Sequence, residues 1–273
     1  MTNLLGYTFF QHALLASLLS ALICAFIGSY IVSRRLVFIS GGITHASFGG
    51  LGIAYFLGFS PLVGAAVFAI LSGFSIQWLS GRTEVREDSA IGIFWSLGMA
   101  LGIIFTFLTP GYAPNLMSSL FGSILAVSNT ELLMMAGLVL AIVLFFALFY
   151  RLILATAFDP EYATTHRVPV HFISYTLMVL IALAIVLSIR VAGIILVLAL
   201  LTIPPTTANL LTHRFDRMIA YSFILGLTGN IAGLVVSYLL NIPSGAAIIL
   251  VHVFVFMLIK GFLSLKAASV SKS

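Results

Sequence analysis

Long apolar runs separated by short polar stretches set the architecture of this chain. Segments 11–33, 36–81, 89–130, 132–150, 172–189, 191–212 and 218–259 contain no Lys, Arg, Asp or Glu. A helix that crosses a hydrocarbon layer needs about 20 largely apolar residues, so the longest of these runs hold two crossings each. Turn signals divide them at Gly58-Phe59-Ser60-Pro61, Thr109-Pro110-Gly111 and Asn241-Ile242-Pro243-Ser244-Gly245. The pattern predicts nine spans, over 11–32, 38–58, 62–80, 90–108, 131–150, 172–189, 191–211, 219–240 and 246–265. Backbone groups in lipid must pair within their own segment, and these continuous runs lack the period-two alternation of a barrel strand. The expected fold is all-α: a polytopic integral membrane bundle of eight to nine helices, with 1–273 forming a single transmembrane domain.

Composition agrees with the pattern. With 62% apolar residues, 7% charged residues and a mean hydropathy of +1.23, the chain has too little charge to cover a soluble domain of its size. Eleven of the twelve basic residues fall on one side of the predicted spans: Arg34, Arg35, Arg82, Arg86, Arg151, Arg167, Arg214, Arg217, Lys260, Lys266 and Lys272. Arg190 is the exception. Positive residues stay on the cytoplasmic side, which puts four polar loops and the C-terminus in the cytoplasm and 109–130 outside. The net charge of +5 follows from this topology, and no nucleic-acid partner is implied. No basic residue precedes the first run, so it reads as a retained span and not as a cleaved leader. The single cysteine, Cys24, lies inside that span and reads as a small apolar filler.

No acidic residue lies in the middle of a span. Glu84, Glu87, Asp88, Asp159, Glu161 and Asp216 fall in the cytoplasmic loops, and Glu131 stands at an outer helix start. Chains of intramembrane carboxylates mark proton or sodium relays, so a carrier driven by an ion gradient is disfavoured as an alternative. Intramembrane enzymes need positioned acid, base or metal groups, yet neither His-Glu-x-x-His nor paired aspartates occur. The chain reads as a transport protein and not as an enzyme. A Gly-x-x-x-x-Gly-Lys-Ser/Thr nucleotide loop is also missing, so any ATP-derived energy must come from a partner chain.

Three polar stretches stand out against the apolar background. The first runs from Arg34 to Gly52 and places Ser40, Thr44 and Ser47 on one helical face with His45 at its margin. Its five glycines allow close helix contact. Two readings fit His45: a functional group, the default for a titratable residue inside a span, or a histidine bonded to a neighbouring hydroxyl. The second stretch, 158–170, is a polar loop in which Asp159-Pro160-Glu161 has the form of a capped short helix. His166 and His171 read there as surface histidines. In the third, 191–209, the pair Pro204-Pro205 predicts a broken helix near Ile203. Thr202, Thr206, Thr207 and Asn209 offer polar company to the freed carbonyls, either lining a passage or accompanying a plain proline kink. Elsewhere, Gly98-x-x-x-Gly102 and Gly229-x-x-x-Gly233 have helix-packing spacing, and His252 reads as hydrogen-bonded within the bundle.

At these stretches the chain resembles the ABC metal-permease family, whose bacterial members include zinc, manganese and iron importers. The likeness is carried by Arg34-Arg35, Ile91-Gly92-Ile93, Leu120-Phe121-Gly122-Ser123-Ile124-Leu125-Ala126-Val127, Phe158-Asp159-Pro160-Glu161-Tyr162-Ala163 and the segment from Gly193 to Ala208. The resemblance implies a permease in the bacterial inner membrane, a homodimer with the path between subunits. It also implies a cytoplasmic ATP-binding subunit dimer, an extracytoplasmic metal-binding protein, no resident cofactor and a divalent metal ion as substrate. On that pattern His45, Thr44, Ser47 and Ser96 are the candidate pathway residues. The segment His213, Arg214, Phe215, Asp216 and Arg217 is the candidate ATPase coupling element, with the arginines pairing acidic groups and Phe215 filling a pocket. Three positions depart from the family pattern. Gly41 stands where an Asp is usual four residues before His45, Trp95-Ser96 where a His is usual, and Ser123 where an Asp is usual. Without carboxylates the site would hold a divalent ion more weakly, which suits a conduit and leaves a metal chelate or siderophore as alternative cargo.

Overall fold

The computed structural model describes residues 7–110, 124 and 127–270, and among them it holds helices and no strand. The helices are α1 Thr8–Ser33, α2 Val37–Leu57, α3 Pro61–Arg82, α4 Glu87–Leu108 and α5 Asn129–Phe158. They continue with α6 Pro160–Thr165, α7 Val170–Ala192, α8 Ile194–Leu211, α9 Phe215–Leu240 and α10 Ser244–Val270. Nine of these, all but the short α6, are long and apolar enough to cross a membrane, and each covers one of the expected spans. The turn signals act as read: α2 ends on Gly58 at φ 76, Pro61 opens α3, and α9 ends on Asn241 at φ 54. Ser128 caps α5 reciprocally with Glu131: the Ser128 backbone N–H and hydroxyl reach the Glu131 carboxylate at 3.0 and 2.9 Å. α5 continues to Phe158, but its backbone leaves helical geometry at Phe149 with φ −113 and ψ 16, a kink beside the expected end at residue 150.

The chain divides into two compact units, one of Met1–Val32, Phe121–Val139 and Val191–Ser273, the other of Ser33–Leu120 and Leu140–Arg190. In the first unit, α1, α9 and α10 are joined by buried polar pairs. His252 shares a 3.1 Å hydrogen bond between Nε2 and the Asn230 Oδ1, and the Asn230 amide donates to the Ser17 carbonyl at 3.3 Å. Ser29 and Ser222 pair at 3.2 Å. Gly229 and Gly233 give α10 its close approach, since a Cβ on either would run into the His252 ring or Ile248. His252 is thus bonded inside the bundle, as its setting suggested.

The expected break near Pro204-Pro205 is not found: α8 is one continuous helix from Ile194 to Leu211 with both prolines inside it. The prolines leave the Leu200 and Leu201 carbonyls without an intrahelical donor; the flanking hydroxyls bond elsewhere, Thr207 to the Ile203 carbonyl and Thr202 to the Leu198 carbonyl, each at 2.7 Å. α1 winds a π-turn over Cys24–Gly28, and its Gly28 lies directly against the Leu201 carbonyl, the one that Pro205 leaves without an intrahelical donor. A Cβ there would stand 2.7 Å from both that oxygen and the Pro205 ring. The chain does turn in this stretch, eleven residues before Pro204, at Gly193 with φ 80 and ψ 162, where α7 hands over to α8. That conformation is open to glycine and strained for other residues.

In the second unit, α2 meets α4 backbone to backbone. Gly42 receives Ile91, Gly49 lies against Gly98, and Gly52 against Gly102; on another face Gly50 meets Gly64 of α3. A Cβ at Gly102 would stand 2.7 Å from the Phe48 carbonyl oxygen, which a fixed helix backbone has no means to move away. Gly102→Val is therefore expected to destabilise the fold by about 1–3 kcal/mol through overpacking. Gly92→Ala, with no described atom within 4 Å of the new methyl, should stay within about 1 kcal/mol of wild type. Thermal unfolding of both variants in detergent separates the two, and equal midpoints would refute a glycine-built seam.

Candidate functional site

The α2–α4 seam fixes the position of His45. Ile91 sits against Gly42, so one turn further along both helices residue 95 comes beside residue 45. The imidazole stacks on the Trp95 indole with ring centroids 4.3 Å apart and planes 9° from parallel. Trp95 was not among the expected site residues, although this register and its aromatic character were both available in the sequence. His45 is half-buried, and its Nδ1 is buried without a hydrogen-bond partner among the described residues. An unsatisfied buried polar atom costs about 1–3 kcal/mol, which sets His45 apart from the hydrogen-bonded His252.

The hydroxyls around it are turned elsewhere. Ser40 donates to the Val37 carbonyl, Thr44 to the Ser40 carbonyl and Ser47 to the Thr44 carbonyl, each at 2.6 Å. Thr44 and Ser47 are buried and keep only lone pairs to offer, while Ser96 is exposed on α4. Gly41 adds no side chain. The structure thus brings Trp95 to His45, and no group of three His, Cys, Asp or Glu residues capable of holding a metal forms among the described residues. Ser123 lies outside the described residues. What remains at this point is one imidazole with an aromatic wall, a sparse donor set for a divalent ion.

On α8 the expected pathway residues divide by exposure. Thr202 and Thr206 line an open cleft of about 300 Å³ together with Ile203, Val253, Phe256 and Met257 of α8 and α10. Thr207 is buried and Asn209 exposed. The cleft walls are almost wholly apolar, so it offers an ion little to replace its water.

The expected coupling segment is only partly presented. His213, Arg214, Asp216 and Arg217 are exposed, and Arg214 grips Asp216 in a two-pronged pair at 2.9 and 3.2 Å. Phe215 differs from the expectation: it is 6% exposed, turned into its own chain at the first residue of α9. An apolar ring at a helix start gains more by covering that end than by facing water. The capped loop helix α6 presents what Phe215 withholds. Asp159 accepts the Tyr162 N–H at 2.9 Å, Pro160 opens the turn and Ala163 is buried beneath it. Phe158 and Tyr162 stand 61% and 55% exposed, with Tyr162 against His166 at 3.9 Å between centroids. Two large aromatics in an otherwise polar stretch were the signal for it.

Residues 6–262 match the ABC 3 transport family. The chain is 38% identical over 256 residues to the manganese transport system membrane protein MntC of Halalkalibacterium halodurans, covering 94% of this chain and 88% of that protein. It is 31% identical over 251 residues to the manganese import system permease protein ScaB of Streptococcus gordonii, covering 92% and 90%. Among solved structures, PsaBC from Streptococcus pneumoniae in complex with Fab superposes with a TM-score of 0.83 at 32% identity, covering 94% of this chain and 93% of that one.

The burial of Phe215 separates its role from that of its exposed neighbours. Phe215→Ala should cost on the order of 3 kcal/mol through the cavity it leaves. Arg217→Ala, an exposed substitution, should change stability by less than about 0.5 kcal/mol. Unfolding midpoints of the two purified variants test this, and a stable Phe215→Ala protein would return the ring to the surface.

Proposed function

The chain belongs to the ABC 3 transport family, and on that footing we propose that it is the membrane-spanning permease of an ATP-driven importer for a divalent metal ion, manganese. The carrying observation is the likeness to manganese permeases over nearly the whole chain, with an intramembrane imidazole whose ring nitrogen lacks a partner among the described residues. Two copies form the passage, as one transmembrane permease domain each, in a bacterial inner membrane. The arginine-bearing loops and the C-terminus face the cytoplasm, where a dimer of ATP-binding subunits supplies the energy. An external binding protein delivers the ion on the other side.

The ATPase docks on α6, where Phe158 and Tyr162 offer exposed aromatic anchors of the kind that dominate binding energy; the exposed Arg214 and Arg217 offer it charged contacts of their own. His45 is the pathway ligand. Mn²⁺ binds nitrogen ligands more weakly than the later first-row divalent ions, and a lone imidazole beside an indole slows it without trapping it.

The chain has two tryptophans, so Trp78→Phe leaves Trp95 as the reporter beside His45. Added Mn²⁺, a paramagnetic quencher, should quench its emission saturably, and His45→Ala should remove the saturable part. In proteoliposomes holding the permease and its ATPase, Mn²⁺ uptake should require ATP and fall at least about tenfold in His45→Ala. Uptake that runs on an ion gradient without ATP would sink the importer reading. Unchanged uptake in His45→Ala would remove only the ligand.

A further inference from the structure

The two arginines before α2 point to different tasks. Arg35 adopts a left-handed backbone conformation at φ 59 and is exposed, whereas Arg34 is drawn inward and half-buried. Arg34 Nη1 donates to the carbonyls of Thr156 and Ala157 at 3.3 and 3.4 Å. These are among the last carbonyls of α5, and the corner that follows leaves them without a donor from the next turn. Asp159 departs from helical geometry at φ −146 and ψ 83, and Pro160 brings no N–H. The cation also sits where the helix dipole is negative. One guanidinium therefore ties the foot of α2 to the α5 corner that launches α6, and the glycine seam joins α2 to α4, all within the second unit.

α2 and α4 carry His45 and Trp95; α6 carries Phe158 and Tyr162. We propose that Arg34 is the positioning residue that links the ATPase-docking helix α6 to the pathway helices α2 and α4, so that movement imposed on α6 is passed to the stacked His45–Trp95 pair. The inference rests on the importer reading above. A helix end held only by water would shift under a docked partner without moving α2. Arg34 reaches the corner through one nitrogen, Nη1, shared between both carbonyls, and the shorter, more mobile ammonium of lysine would hold the corner less firmly.

The test uses the permease with its ATPase in proteoliposomes, reading Mn²⁺ taken up and ATP hydrolysed in the same sample. Arg34→Gln should lower uptake per ATP about tenfold while the ATPase stays bound and hydrolysis continues. Arg34→Lys, which folds more readily with its charge kept, should fall between, and Arg35→Gln should match wild type. Uptake and hydrolysis falling in proportion in both Arg34 variants would mark a merely structural role and overturn the inference, as would equal loss of the ratio in Arg35→Gln. Wild-type protein that fails to import with ATP would instead defeat the importer reading, before Arg34 is tested.

Discussion

Hydrocarbon offers no hydrophobic drive to hold one spanning helix against another, so this fold depends on backbones coming close enough for dense packing. The seam between α2 and α4 meets that demand with Gly42, Gly49, Gly52, Gly98 and Gly102, each lying where a methyl group would strike the neighbouring chain. Contact of backbone on backbone has no flexible side chain to absorb an error. It fixes the register of the two helices, and the register in turn sets the imidazole of His45 flat on Trp95. The chemistry available at this point of the span is thus a consequence of glycine spacing a turn away.

The same solvent governs the backbone hydrogen bonds. Proline removes a donor, and water is not there to make good the loss. At Pro204-Pro205 the helix continues, with its Leu201 carbonyl packed against Gly28 of the α1 π-turn. At the end of α5, Arg34 reaches the Thr156 and Ala157 carbonyls ahead of Pro160. The first contact seats one helix closely on another; the second fastens a helix end to a distant part of the chain.

Much of this was legible in the sequence because the membrane simplifies the rules. Charge-free runs and the turns at Gly58–Pro61 and Asn241–Ser244 locate the spans, since length and apolarity alone decide what crosses lipid. Asp159-Pro160 announces α6 because capping is a local interaction. The continuity of α8 was hidden, because the close contact its proline stretch makes, with Gly28 on α1, is far away in sequence. Phe215 was misread for a related reason: a side chain's exposure depends on what the rest of the fold places beside it, and no local pattern records that. The hydroxyls of Thr44 and Ser47 share the predicted face with Ser40, but period alone does not say that their protons are already given to the preceding turn.

A transported ion must give up part of its water and regain it, and a ligand set too strong would stop it midway. On the importer reading proposed above, His45 has no carboxylate on its own helix beside it, and the hold on a divalent ion rests on one imidazole. Selectivity on that reading comes largely from delivery, because a lone imidazole favours the later transition metals over manganese. The same reading brings the energy in through α6, and the Arg34 corner with the glycine seam is the connection proposed between that helix and the His45–Trp95 pair.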